Sequence, residues 1–332
     1  KPMLYIRGNF FIPDARKFWV KPSIKFLTQY LNKNEVDAII TTGPPHSLHL
    51  IGLKLKEDLS FPWIADFRDP WTTIGYHDKL KLNKRSERKH KKLEQQVLNG
   101  ADHIITTSPT TTADFEKLTN VPITCITNGF DREHFPEVEL DTEFSLSHIG
   151  SLLADRNPKM LWQVLQELKK EIPQFGKDLK IKLAGRVSNA VVKTIEDFGL
   201  KSNIQLLGYL SHKEALIAQR STQVLLLIEI NAKDTQAIIP GKVFEYLAAK
   251  RPILGIGPED SDFFEIVTNT NAGKCFTYLE KTPLKEHILD LYKKFKERGL
   301  ASNTSKISQY SRKSLTEKLA FVINDLLDEK SQ

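Results

Sequence analysis

The chain has 332 residues, 40% of them hydrophobic, enough for two domains with a core each. No apolar run approaches the roughly 20 residues that cross a bilayer, and no signal peptide is visible. The net charge of +7 suits an acidic partner, whether nucleotide, nucleic acid or anionic membrane, and the only two cysteines, Cys125 and Cys275, fit buried thiols in a reducing compartment.

In chain order, residues 1–35 read as a loop and a helix. Val36–Thr42 is a short buried strand, Gly43-Pro44-Pro45 a turn, and Ser47 a cap for a helix to about Asp58. Pro62–Phe67 is a second strand, running into Arg68-Asp69-Pro70-Trp71. A charged helix from about Lys84 to Asn99 ends on Gly100 in the manner of a C′ glycine. Ala101–Thr107 is a third strand, Ser108-Pro109 starts a helix through about Leu118, and Pro122–Ile126 is a fourth strand leading to Asn128-Gly129-Phe130-Asp131.

Pro136 to Glu143 is acidic and unpatterned, as a linker is. The rhythm then restarts, with strands near Phe144–Ile149, Leu179–Ala184, Ile204–Leu207, Val224–Ile228, Pro252–Ile256 and Lys274–Phe276. Polar helices near Leu284–Arg298 and Arg312–Asp328 close the chain. This alternation predicts an α/β protein with parallel sheets. Two Rossmann-like domains facing a cleft are expected, with ligands at the carboxyl ends of the strands. The first domain reads as incomplete. It shows about four strands, and the chain opens on Lys1-Pro2-Met3, so an N-terminal βαβ unit with a Gly-rich turn is expected to be missing.

Chemistry concentrates in Ile239-Pro240-Gly241-Lys242-Val243-Phe244-Glu245, which reads as a helix start. Pro240 suits the first helical turn and Gly241 admits close approach to the backbone. Free N–H groups and the helix dipole make an anion site, to which Lys242 adds a point charge. Glu245, a turn further in, can accept bonds from sugar hydroxyls. A diphosphate joined to a ribose would use both halves, although an ordinary well-capped αβ unit has the same look.

Lys79, Lys81, Lys84, Arg85, Arg88, Lys89, Lys91 and Lys92 face a single acid, Glu87. This reads as a solvated helix face, with an anionic membrane surface as the alternative. The absence of interleaved aromatics argues against nucleic acid. His46, His49 and His212 read as surface or capping residues, and no Cys/His spacing resembles a metal site.

Trp63–Trp71, Asn128-Gly129-Phe130-Asp131, His148-Ile149-Gly150-Ser151-Leu152 and Ile239–Leu247 with Pro252-Ile253-Leu254 behind it occur together and in order. In this combination, from about Pro44 onward, the chain resembles the GT-B-fold, nucleotide-sugar-dependent glycosyltransferases of group 1 (family 4 type). The resemblance implies an acceptor-side domain over 1–135, a donor-binding domain over 136–311, and a C-terminal helix over 312–332 that packs back on the first domain.

It further implies that Glu245 is the second member of a paired-glutamate motif and grips the donor ribose. The first member's position, eight residues earlier, is Ala237. Ile238, Ile239, Gly241 and Lys242 are implied against the diphosphate and sugar, Gly150 and Ser151 against the phosphates, and Gly185 and Arg186 as further lining. Tyr209 and Leu210 are implied in reading the base. Arg156 and Lys159 are implied to neutralise the pyrophosphate leaving group, and Asp69 falls where acceptor-side groups stand. An Asp-Pro turn paired to Arg68 explains Asp69 equally well.

The implied activity is transfer of a hexosyl-type sugar from a UDP- or GDP-linked donor to a saccharide or lipid-linked acceptor, in bacterial cell-surface polysaccharide synthesis. It is expected to be retaining, free of metal and other cofactors, and cytoplasmic, peripheral on the inner face of the cell membrane. The alternatives are a nucleotide-sugar epimerase and a non-catalytic binding protein on the same fold.

Overall fold

A computed structural model describes residues 2–73, 75–131, 137–297, 299–300, 302 and 304–331. It contains two compact units, one of residues 1–128 with 313–332 and one of residues 129–312. The boundary expected between residues 135 and 136 falls outside the described residues.

In the first unit the elements run α1 (Pro2–Phe10), α2 (Lys17–Leu31), β1 (Ile39–Gly43), α3 (Ser47–Leu59), β2 (Trp63–Phe67), α4 (Tyr76–Lys79), α5 (Lys84–Gly100), β3 (His103–Thr106), α6 (Pro109–Glu116) and β4 (Ile123–Cys125). The strands form one parallel sheet in the order β1-β2-β3-β4. One face is filled by Trp63, Ala65, Phe67, Trp71, Val97, Leu98, Ile104 and Phe115. On the other, Ile64, Ile105 and Ile126 meet Val322 and Leu326 of the C-terminal helix, Arg312–Ser331. Alternation of side chains along each strand lets both faces be covered in this way.

Local details depart from the sequence reading. Residues 2–31 hold two helices, not one. Ser47 does not cap α3. It is the first helical residue, and its backbone N (2.8 Å) and Oγ (3.0 Å) donate to the carboxylate of Asp14, 33 positions upstream. A carboxylate at a helix N-terminus satisfies free N–H groups and suits the dipole, so the distant acid does the capping. Gly100 is the last residue of α5 and has no left-handed backbone. A Cβ there would press on Cδ1 of Leu53, the far end of a flexible side chain, so the glycine eases packing against α3 and makes no turn. Ser108 does cap α6, accepting from Thr111 N at 3.2 Å.

The second unit runs β5 (Phe144–Ile149), α7 (Lys159–Glu171), α8 (Pro173–Asp178), β6 (Leu179–Ala184), α9 (Asn189–Asp197), β7 (Ile204–Gly208), α10 (His212–Ser221), β8 (Val224–Ile228), α11 (Lys242–Ala249), β9 (Ile253–Ile256), α12 (Asp262–Asn269), β10 (Gly273–Phe276) and α13 (Lys281–Glu297). Its six strands are all parallel, in the order β10-β9-β8-β5-β6-β7. This is the doubly wound Rossmann order. The connection direction reverses between β5 and β8, and ligands of such sheets bind at the carboxyl ends of the strands there. The runs Phe144–Ile149 and Val224–Ile228 are wholly buried, as central strands covered on both faces must be.

Candidate active site

At the switch point β5 ends at Ile149 and the chain turns on Gly150, whose φ of +131° only glycine adopts freely. Gly150 N donates to Ala184 O (3.1 Å), and Gly185, at φ +87°, sits so close that a Cβ on it would lie 3.0 Å from the Gly150 carbonyl carbon. A Cβ on Gly150 would lie 2.7 Å from Nζ of Lys242. The glycine therefore leaves room for an ammonium beside bare backbone.

Lys242 opens α11, with Gly241 at the N-cap. Pro240 thus precedes the helix and does not occupy its first turn. Nζ of Lys242 lies 3.2 Å from Nε2 of His148. Burial holds His148 down at about 3, with Lys242 adding to the effect, so the ring is neutral and carries one N–H. Nδ1 faces Leu226 O at 3.0 Å. A proton there leaves the Nε2 lone pair to accept from Lys242. Burial, aided by Arg156, lowers Lys242 to about 8, against the raising influence of Glu229 and Glu245.

Arg156 follows the turn in a short 3-10 segment and engages Glu229, the residue after β8. Nε donates to Oε1 (3.0 Å) and Nη2 to Oε2 (3.3 Å). Glu229 also accepts from Ile230 N (2.8 Å), and its own carbonyl accepts from Tyr278 Oη (2.8 Å). Tyr246 locks the frame. Its buried hydroxyl accepts from Ile149 N (2.9 Å) and faces Ile149 O (3.4 Å), tying α11 to β5.

The structure thus brings Gly150, Gly185, Lys242 and Arg156 together, with His148 and Glu229 as members that were not counted as site residues from the sequence. Ser151, Arg186 and Gly241 are exposed at this edge, and Lys159 is exposed at the start of α7. Ile238 and Ile239 are half-buried, and Ile239 packs on the core behind α11. Tyr209 is 89% exposed in the loop after β7, while Leu210 packs inward. Glu245 accepts from Gln219 Nε2 at 2.8 Å and lines a cavity of about 230 Å³ with Phe130, Asp131, His212 and Arg312.

Asp69 belongs to the first unit, exposed just past β2, and desolvation moves its carboxyl above the usual range with Arg68 opposing. Arg68 donates to the side-chain carbonyl of Asn128. The basic residues from Lys79 to Lys92 are all exposed, while Ser86, His90, Glu94, Val97 and Leu98 form the buried stripe of α5. His46 and His49, read as surface or capping residues, are buried at 4% and 0% exposure, and His46 stands at the N-cap of α3 with no side-chain cap bond.

Residues 4–134 match the family described as Glycosyltransferase Family 4. No curated protein sequence matches the chain. Among solved structures, sucrose-phosphate synthase from Thermosynechococcus elongatus is similar at a TM-score of 0.62 and 12% identity, over 95% of this chain and 80% of that one. S. aureus TarM, in complex with Fondaparinux, alpha-GlcNAc-glycerol and UDP, gives 0.56 at 18% identity over 91% of this chain and 59% of that one. The pneumococcal O-GlcNAc transferase GtfA, in complex with UDP and GlcNAc, gives 0.59 at 15% identity over 92% and 60%. The chain therefore spans about three fifths of the last two proteins. The first unit thus carries the match to Glycosyltransferase Family 4, and the chain as a whole, with its two parallel sheets, has the fold of these solved glycosyltransferases.

Proposed function

We propose that the chain transfers a sugar from a UDP- or GDP-linked donor to a saccharide or lipid-linked acceptor in bacterial cell-surface polysaccharide synthesis. The observation that carries this reading is the Gly150 turn with Lys242 Nζ beside it at the strand-order reversal. A diphosphate laid on that turn meets bare backbone, the N-terminus of α11 and an ammonium. As the anomeric bond breaks, negative charge grows on the leaving phosphate. Lys242 is already aimed there, so little reorganisation is needed. Arg156 contributes in proportion to how far it turns from Glu229 to phosphate. These cations would do the work of a metal, and the reaction is proposed as metal-independent, with no cofactor and with retention at the anomeric carbon. The UDP in the TarM and GtfA complexes supports the donor class.

On this reading Glu245 holds the ribose once Gln219 releases it, Tyr209 and Leu210 read the base, Ser151, Lys159, Gly185 and Arg186 line the phosphates, and Ile238, Ile239 and Gly241 lie against the sugar. Asp69 acts on the acceptor side. A cytoplasmic place on the inner membrane face would use the exposed cations from Lys79 to Lys92.

Ala237, where the first glutamate of the pair is expected, favours a second reading as a non-catalytic nucleotide-sugar-binding protein. Calorimetric titration with UDP, GDP and ADP, in EDTA, tests the proposal. One nucleotide should bind, with affinity lost in Lys242→Met and weakened in Glu245→Ala at unchanged Tm. Binding of none would overturn it, and binding without turnover of any donor would leave the second reading.

A further inference from the structure

We propose that a cavity at the carboxyl ends of β1 and β2 binds an oxyanion, either a phosphate or a carboxylate, with His46, Arg7 and Arg16 as its contacts. The cavity is about 390 Å³, large enough for a monosaccharide-sized group, and lies wholly in the first unit. Calling this oxyanion part of the sugar acceptor rests on the glycosyl-transfer reading; the site itself does not.

The central observation is His46. It lines the cavity at 4% exposure, and among the described residues neither ring nitrogen has a hydrogen-bond partner. Buried polar atoms are nearly always paired, because leaving one unpaired costs about 1–3 kcal/mol. Here two are left on one ring, and that ring is held firmly. It stacks on Trp71 with centroids 4.9 Å apart and planes 3° from parallel. Trp71 Nε1 donates to His90 Nδ1 (3.1 Å), and His90 Nε2 faces Gly8 O (3.2 Å). The platform is built from α1, the β2 loop and α5, and it presents an imidazole whose two nitrogens have no hydrogen-bond partner among the described residues.

Charge decides the ligand class. Arg7 and Arg16 line the cavity with Asp14 as the acid beside them. Both Asp14 oxygens are already engaged, by Ser47 N and Oγ and by Arg16 N (2.8 Å), so that carboxylate serves the α3 N-terminus. Arg7 and Arg16 thus bring two positive charges to the cavity wall against one committed carboxylate, the Arg16 guanidinium lying 5.3 Å over the Trp19 ring, and a planar or tetrahedral oxyanion matches the fork of a guanidinium. Burial lowers His46 to about 4, with His90 and His77 adding to the effect and Asp14 opposing. His49, beside it, is lowered by burial to about 3. Among the described residues no group of three or more His, Cys, Asp or Glu is disposed to hold a metal.

The test follows the Cε1–H signal of His46 in the full chain labelled at histidine, identified by its loss in His46→Gln. Inorganic phosphate, glucuronate and glucose are the probes, in a Lys242→Met background so that phosphate at the donor turn is suppressed. Phosphate or glucuronate should shift the signal saturably and raise its titration midpoint by about one to three pH units. The one that does so names the source of the oxyanion. Arg7→Ala with Arg16→Ala should weaken this by about tenfold or more, since bonds to charged groups are the strong ones. In the chain with Lys242 intact, the same pair should leave UDP affinity unchanged. No response to either oxyanion, an equal response to glucose, or a response undiminished by the arginine variants would overturn the proposal. Failure of UDP to bind with the His46 response intact would instead overturn the donor reading and leave the oxyanion site standing.

Discussion

The Arg156 guanidinium and the Glu229 carboxylate form a two-pronged ion pair with its shortest contact, Nη2 to Oε1, at 2.9 Å, and the two sides are unequally covered. Arg156 keeps 28% of its side chain in water and Glu229 keeps 1%.

The asymmetry predicts an asymmetric cost. Arg156→Ala strands a buried carboxylate and should destabilise the chain by about 3–5 kcal/mol. Glu229→Ala leaves a partly hydrated guanidinium and should cost less. The double variant should recover part of the Arg156→Ala loss. Urea unfolding of the four proteins reads the cycle directly, and equal single-variant costs with simple additivity would contradict a coupled pair. Turnover of Arg156→Ala is interpretable only beside this control.

Lys242 sets a pH dependence for donor binding. Burial and Arg156 hold its ammonium down at about 8, and a bound diphosphate would raise that value. Below pH 8 both free and bound forms carry the proton. Above it, binding must take a proton up, so affinity should fall by up to about tenfold per pH unit until the bound form titrates. Calorimetry in buffers of different ionisation heat should show proton uptake between about pH 8 and 10. Lys242→Met should remove it, and a flat affinity across that range would exclude Lys242 from contact with the phosphates.

The two glycines flanking Lys242 in space should respond in opposite ways. Gly150→Ala forces a side chain onto a φ of +131° and places it 2.7 Å from Nζ of Lys242. Nucleotide affinity should drop by about tenfold or more, with a stability loss of about 1–3 kcal/mol. Gly241 has φ −54°, and a methyl group placed there would meet nothing within 4 Å, so Gly241→Ala should leave stability nearly unchanged. Nearly equal unfolding midpoints for the two variants would refute the account of the turn.

If the chain docks on an anionic membrane, one of two surfaces makes the contact. The α5 cations from Lys84 to Lys92 are exposed, and so are Phe18, Trp19 and Phe26 of α2 beside Lys17, Lys21 and Lys25. If the α5 face docks, Lys→Glu changes at 84, 89 and 92 should abolish sedimentation with anionic vesicles, and binding should fade with salt. Retention of binding in that variant, with loss in Phe18→Ser/Trp19→Ser/Phe26→Ser, would move the contact to α2.

What the sequence disclosed followed from local periodicity. Runs such as Val224–Ile228 and Phe144–Ile149 are apolar because both faces of a central parallel strand are covered, and their ends were legible to within a residue. The Gly150 turn and Lys242 were legible because each carries its chemistry in adjacent letters. Arg156–Glu229 was not, since the partners lie 73 positions apart and only the reversal of strand order brings them together. Asp14 capping α3 and Gly100 yielding to Leu53 were hidden for the same reason. His46 read as a surface or capping residue because an isolated histidine carries no periodic signal of burial. Its position is set by Trp71, a stacking that no local rule foretells.

The Tyr246 hydroxyl clamped to Ile149 has a bearing on how donor preference can change. It welds the Gly150 turn and α11 into one piece, so on the proposed reading the leaving group is held by groups that cannot shift independently. Tyr209, on the proposed reading the contact for the base, stands 89% exposed just past Gly208, whose carbonyl accepts from Gly185 N at 2.6 Å, so only its side chain lies outside that weld. On that reading, exchanging one nucleobase for another is a matter of changing the exposed side chains after β7, with the groups that hold the diphosphate left untouched.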